Sequence, residues 1–332
     1  MRALILAPFS TAYLEQLRRQ VDVVYESWLD TNTLQDPEEL GRRLAVEDIA
    51  VLIVEADFVF EEVFDAAPGL RLVGVCRNAL NQVDILSATA HGVAVSHAPG
   101  RNTNAVAEMT LGLMLSLARG ILQAATLVAG AGWREPSVGY RLFRGREIAG
   151  ATVGVVGFGQ IGREVARKCI ALDAHVLAHD PYVAERDIRA FGAEPVPLAD
   201  IAALSDFLTL HVPEEEATYR LIDASFLQRM KPEAYLINTG AGASVDAQAL
   251  ATALASRRLA GAALDVFDGH PLPASSSLAS APNVILTPHI GGATAETIER
   301  HSLMMTEEIE RLLAGEPLQH VVNPDYLLAR AR

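Results

Sequence analysis

Short apolar runs alternate with amphipathic stretches along almost the whole of this 332-residue chain. Ala3–Leu6, Val21–Val24, Ala50–Val54, Leu72–Val75 and Val93–Ser96 read as strands, since each is apolar, mostly rich in branched residues and bounded by polar or turn residues. Helical spacing covers Tyr13–Arg19 and Pro37–Leu44 between them. A second strand series follows at Thr152–Val156, His175–Ala178, Phe207–Leu210, Tyr235–Ile237, Ala262–Val266 and Val284–Leu286. A last helix is expected from Thr294 to Leu313. Strands that alternate with helices in this way predict an α/β fold, with parallel sheets covered by helices on both faces.

One stretch departs from the alternation. In "HAPGRNTNAVAEMTLGLMLSLAR", Pro99-Gly100 punctuates, Thr103 or Asn104 can cap, and the helix that follows is apolar on nearly every side as far as Leu117. Such a helix must be buried, against another domain or another subunit. "AGAGWREPSVGYRLFRGREIAG" then reads as a glycine-rich connection bearing exposed aromatics.

Composition narrows the function. The length suits two domains. A net charge of −14 argues against nucleic acid and against an anionic membrane surface. Cys76 and Cys169 have no metal or redox spacing. The start "MRALILAPFSTAYLEQL" is not a signal peptide, and no run of about 18 apolar residues is present to span a bilayer. The expectation is a cytoplasmic protein whose partner is a small molecule.

"TVGVVGFGQIGREVARKCIALDAHVLAHD" carries the clearest chemistry. Gly157, Gly159 and Gly162 form G-x-G-x-x-G after a strand and at the start of a helix, with Gln160 and Ile161 in the first turn. Gly157 allows the tight turn, Gly159 lets backbone approach a pyrophosphate, and Gly162 lets the helix pack closely. The helix N-terminus adds amide donors and partial positive charge. Asp180, 18 residues after Gly162, ends the next strand, where a carboxylate accepts from ribose hydroxyls and repels a 2′-phosphate. The cofactor expected is NAD rather than NADP.

From Gly150 onward, "GFGQIG", "HDPY", "LHVPEEEAT", "INTGAGASVD", "GAALDVF" and "LTPHIGG" fall in an order that resembles the D-2-hydroxyacid dehydrogenases, the family of phosphoglycerate, formate and phosphite dehydrogenases. Upstream, "RLVGVCRNALNQVDILSATAHGVAVSHAPGRNTNAVAEMTLGLMLSLAR" resembles that family's substrate loop and interdomain helix. The resemblance implies two doubly wound parallel-sheet domains. A Rossmann NAD domain, residues 102–296, would be inserted into a flavodoxin-like substrate domain made of 1–101 and 297–332. It implies a homodimer whose two-fold interface holds the apolar helix from about Asn104 to Leu117 and the aromatic-bearing segment after it. It also implies cofactor contacts at the glycine loop, Asp180, His211, Val212, Pro213, Thr218, Thr239, Gly240, Ala241, Asp265, His289, Gly291 and Gly292.

The family works with an arginine on the substrate carboxylate, a histidine as acid/base and a glutamate beside that histidine. Only the histidine is kept, as His289. Ala241 occupies the arginine's position, and His270, 29 residues later, that of the glutamate. Asp268 lies close in sequence but at a loop position that suggests solvation. Losing one partner of a buried arginine–carboxylate pair costs about 3–5 kcal/mol, so simple 2-oxo acids are expected to be poor substrates. On the substrate side Glu55 stands at a strand end, where a carboxylate would repel anions and suit hydroxyls or an ammonium. Arg77, Asn78 and Ala79 occupy the turn whose amides cradle substrate in the family, and Arg77 could replace part of the missing charge.

Two functions compete at this stage. One is an NAD-dependent oxidoreductase acting on a neutral or polyhydroxylated alcohol, with His289 and His270 as the catalytic pair. The other is an NAD-binding regulatory or scaffold protein with reduced catalysis. A metal site at His270, His289 and Asp265 or Asp268 has suitable donors, but Asp265 is better assigned to the cofactor, so no metal is expected.

Overall fold

The computed structural model describes residues 1–330 and divides into two compact units. One comprises Met1–Arg101 with Thr294–Arg332, and the other Asn102–Ala293.

The first unit is a five-stranded parallel sheet with strand order β2-β1-β3-β4-β5. Its strands are β1 Arg2–Ile5, β2 Asp22–Tyr25, β3 Ile49–Val54, β4 Leu72–Val75 and β5 Ala94–His97. Apolar cores lie on both faces. This is why β3 reads as an unbroken apolar run rather than an alternating one. Strand order reverses between β1 and β3, and ligands of open α/β sheets bind beyond the carboxyl ends of strands at such a reversal. The long helix Ala295–Ala314 closes the unit. Thr294 caps it by accepting from the Thr297 amide at 3.1 Å, and Gly315 ends it in the left-handed conformation.

The second unit is a seven-stranded parallel sheet with order β12-β11-β10-β9-β6-β7-β8. Its strands are β6 Thr152–Val156, β7 His175–His179, β8 Glu194–Pro195, β9 Phe207–Leu210, β10 Tyr235–Asn238, β11 Gly261–Leu264 and β12 Val284–Leu286. Here the reversal falls between β6 and β9. Two cores again sandwich the sheet. The helix Thr103–Arg119 buries Ala107, Thr110, Leu113, Met114 and Leu117 among others.

The connection after this helix differs from expectation. Ile121–Ala129 and Pro136–Leu142 are both helical. Pro136 at the first helical position supplies the required φ and omits an amide that would be unpaired there. Gly139 within that helix concealed it in the sequence. None of the residues in Ile121–Ala129 is buried, despite their apolar character. The two-residue edge strand β8 was too short to signal itself. No single helix among the described residues is long and apolar enough to cross a membrane.

Candidate active site

In the seven-stranded unit the glycine loop follows β6 directly, at the reversal of strand order. Gly157 has φ +89, and a Cβ on it would lie 2.6 Å from the carbonyl oxygen of His211. A Cβ on Gly162 would lie 2.0 Å from the Gly157 oxygen, so the helix Gln160–Ala171 sits flush on the turn. Gly159 is different: nothing lies within 4 Å of where its Cβ would be. That open space, over the start of a 12-residue helix with no side-chain cap, is what a pyrophosphate held by backbone needs. Gln160 takes a hydrogen bond from the Thr103 hydroxyl at 3.4 Å.

Asp180, at the end of β7, is half-buried and held in place. It accepts from the amides of Phe158 at 2.7 Å and Tyr182 at 2.9 Å. Each carboxylate oxygen keeps a second lone pair, enough for ribose hydroxyls. At the end of β9, burial holds the His211 pKa down to about 3, so its ring is neutral at pH 7. Its Nε2 pairs with the Thr209 hydroxyl at 3.0 Å. The His211 ring is thus turned to Thr209, while its backbone packs on Gly157. Val212 and Pro213 continue the same loop. Thr218 donates to the Pro213 carbonyl at 2.7 Å, so its hydroxyl closes that loop.

The turn after β10 is built by residues that motif spacing does not reveal. Asn238 accepts from the Gly240 amide at 3.1 Å and donates to the Ala241 carbonyl at 2.8 Å, and Ser244 donates to the same carbonyl at 2.6 Å. Thr239 pairs with Thr110 at 2.9 Å. Ala241 is buried, at 5% exposure, and brings no charge where the resemblance implies an arginine.

Asp265 holds the loop that carries His289. Its carboxylate, 1% exposed, accepts from the Thr287 hydroxyl at 2.6 Å and from the amides of Ile290 at 2.9 Å and Gly291 at 2.7 Å. These three bonds flank His289 and fix its loop, with Gly291 and Gly292 completing the turn. His289 itself has φ +55, a left-handed conformation that non-glycine residues seldom adopt without a compensating constraint. The imidazole of His270 lies beside it, with ring centroids 5.1 Å apart and planes inclined by 40°. The Phe267 ring in turn lies 5.9 Å from that of His270. The predicted pair is thus brought together. Asp268 is exposed. Among the described residues no three His, Cys, Asp or Glu side chains are grouped as a metal ion needs.

In the five-stranded unit, Glu55 follows β3 but is not an open carboxylate. Its Oε1 pairs with Arg101 at 2.6 Å, both side chains being at most 15% exposed, and its Oε2 accepts from the Trp28 indole at 3.2 Å. The expectation that Glu55 repels anions is corrected by this pairing, because its charge is already compensated. Arg101 also donates to Nδ1 of His301 at 2.7 Å, while His301 Nε2 meets the carbonyl of Pro8 at 2.7 Å. An arginine can only donate, so Nδ1 accepts and the proton sits on Nε2. Burial, chiefly, lowers the His301 pKa to about 4, which agrees with a neutral ring. Nothing in sequence spacing pointed to Arg101, His301 or Trp28. Arg77, Asn78 and Ala79 form the turn after β4, with Arg77 half-buried and the other two exposed.

Comparison with known proteins agrees with this architecture. Residues 111–291 match the family described as D-isomer specific 2-hydroxyacid dehydrogenase, NAD binding domain. A glyoxylate reductase of Thermofilum pendens is 37% identical over 320 residues, covering 96% of this chain and 93% of that protein. A D-3-phosphoglycerate dehydrogenase of Mycobacterium leprae is 38% identical over 305 residues, covering 92% of this chain but only 56% of that longer protein. A Thermus thermophilus protein of known structure superposes with a TM-score of 0.84 at 32% identity, covering 97% of this chain and 100% of its own. With its glycine loop, anchored Asp180 and pinned histidine loop in place, the chain belongs to the D-isomer-specific 2-hydroxyacid dehydrogenase family, and its seven-stranded unit is that family's NAD-binding domain.

Proposed function

We propose that this chain is an NAD-dependent oxidoreductase that moves a hydride between NAD and a secondary alcohol or ketone, on a substrate that residue 241 does not hold. The observation that carries this is His289, fixed by the three bonds to Asp265 and set against His270. NAD, when bound, supplies the hydride chemistry. His289 takes the hydroxyl proton as alcohol is oxidised and returns it in the reverse direction. His270 can orient that imidazole by contact, but it does not bring the negative charge of a glutamate. Small 2-oxo acids such as glyoxylate and pyruvate should therefore turn over slowly, and hydroxyl-rich substrates faster.

Turnover of a panel of hydroxylated alcohols and hydroxy acids with NAD and NADP tests this. NAD should be preferred, and Asp180→Ala should weaken NAD and relax the preference. A native enzyme that prefers NADP would remove the role of Asp180 in that choice. The second reading is an NAD-binding regulatory or scaffold protein, favoured by the uncharged, buried Ala241. It is supported if NAD binds and no compound of the panel turns over.

The proposal includes a homodimer. Ile121, Leu122 and Val128 are 47–56% exposed on a helix with no buried residue, and Trp133 and Tyr140 extend the surface. Exposed apolar side chains of this kind suit a two-fold interface. Light scattering at micromolar concentration should give twice the mass of the 332-residue chain. A monomer's mass would rule the dimer out.

A further inference from the structure

The glycine motif ends at Gly162, and the next residue, Arg163, lies outside it. The adjacent Glu164 is not its partner, for that carboxylate is taken by Arg167 at 2.6 Å and Lys168 at 3.3 Å. Arg163 instead turns back over the loop. Its Nε donates to the carbonyl of Phe158 at 3.0 Å, and its guanidinium carbon lies over the Phe158 ring, 5.7 Å from the centroid. Phe158, the residue between Gly157 and Gly159, is fully buried and is held from two further sides. Its amide donates to Asp180 at 2.7 Å, and its ring meets that of Phe191 edge-on, with centroids 5.4 Å apart. The place is unfavourable for a cation. The helix Gln160–Ala171 begins here with no side-chain cap and no acidic residue in its first turn, and a positive charge at a helix N-terminus opposes the macrodipole. Fixing a long, exposed side chain also costs rotamer entropy.

The peptide that Arg163 holds supplies the reason. The Phe158 carbonyl and the Gly159 amide belong to one planar, trans peptide group, so the N–H points away from the C=O. By fixing the oxygen, Arg163 sets the direction of the hydrogen. The Gly159 amide donates to no acceptor among the described residues, and over Gly159 lies the open space that a backbone-bound pyrophosphate needs. We infer that Arg163 is a positioning residue for the cofactor: acting through the Phe158 carbonyl, it aims the Gly159 amide at the pyrophosphate. The assignment rests on the glycine loop being the dinucleotide site. What Arg163 contributes is the donated hydrogen bond and not its charge. A glutamine side-chain nitrogen stands as many bonds from the backbone as the Nε of arginine, so it can take over that bond. Lysine keeps the charge but carries its nitrogen one atom further out, and methionine supplies neither.

The test is fluorescence titration with NADH, and competition by ADP-ribose and by adenosine, in native protein and in Arg163→Gln, Arg163→Lys and Arg163→Met. Arg163→Met should weaken NADH and ADP-ribose by about tenfold, the range of one hydrogen bond from a charged donor. Arg163→Gln should bind both within about threefold of the native protein, and Arg163→Lys should resemble Arg163→Met. Adenosine, which has no pyrophosphate, should bind all four proteins alike. The ratio of NADH to adenosine affinity is the decisive quantity, because a residue that merely stabilised the domain would leave it unchanged. Native affinity in Arg163→Met, or a loss shared equally by NADH and adenosine, overturns the positioning role. Recovery by lysine and not by glutamine also overturns it, since the charge would then act on the pyrophosphate directly. A native protein that binds NADH no more tightly than adenosine would remove the glycine loop as the pyrophosphate site, and the role of Arg163 with it. If the native protein prefers NADH strongly and the variants do not differ, the loop assignment stands and only Arg163 is struck from it.

Discussion

Replacing His289 with asparagine is expected to lower kcat on the best alcohol of the panel by about 10²–10⁴-fold, the contribution of a positioned general base. Affinity for NADH should stay within about threefold, since a polar side chain remains and the loop keeps its anchors. Asparagine is the informative choice because of the backbone. Position 289 has φ +55, and asparagine enters the left-handed region more readily than most residues with a Cβ. The amides of Ile290 and Gly291 and the Thr287 hydroxyl stay on Asp265, so the loop should keep its shape. A drop in kcat without a change in melting temperature or NADH titration would then belong to the imidazole alone. His270→Gln should lower kcat less, because its ring acts through His289. A His289→Asn enzyme that keeps kcat within about threefold would mean that another group moves the proton.

The parts of this molecule legible in the sequence are those set by local rules. Buried parallel strands such as Ile49–Val54 announce themselves as apolar runs, and the glycine loop is fixed by close approach within a few residues of itself. That positions 241 and 270 hold an alanine and a histidine, in motifs whose resemblance implies an arginine and a glutamate, is likewise read from the sequence alone. What sequence hid are pairings between distant positions. Glu55 reads as an open strand-end carboxylate until Arg101, from the far end of another loop, closes on it. His301, in "IERHSLMM", looks like one more polar residue on a helix, yet it is fully buried and hydrogen-bonded at both ring nitrogens. Asp265 had the position of a cofactor contact, and only the fold shows three donors of the histidine loop converging on it. The charge that decides what the site can hold is thus a sum over partners, which no single motif contains.

Gly162→Val is expected to abolish measurable NADH binding and to lower stability by several kcal/mol, while Gly159→Ala should affect binding alone. The two glycines share one motif but meet different surroundings. A Cβ at 162 would stand 2.0 Å from the Gly157 oxygen and 3.3 Å from a methyl of Val155, so the helix must lift from β6. Overpacking of this kind costs roughly 1–3 kcal/mol or more when backbone has to move. The helix N-terminus would then no longer aim at the phosphate position, and binding should fall by about a hundredfold or more for a few kcal/mol of lost contacts. At 159 the same added carbon meets nothing within 4 Å, so the fold has no reason to change. The methyl instead occupies space assigned to the pyrophosphate. Thermal melts should therefore separate the pair, with Gly162→Val well below native and Gly159→Ala beside it. NADH fluorescence titrations should show both weakened. If Gly159→Ala binds NADH as the native protein does, the open space over the helix is not where the phosphates sit, and Asp180 alone would be left to position the cofactor.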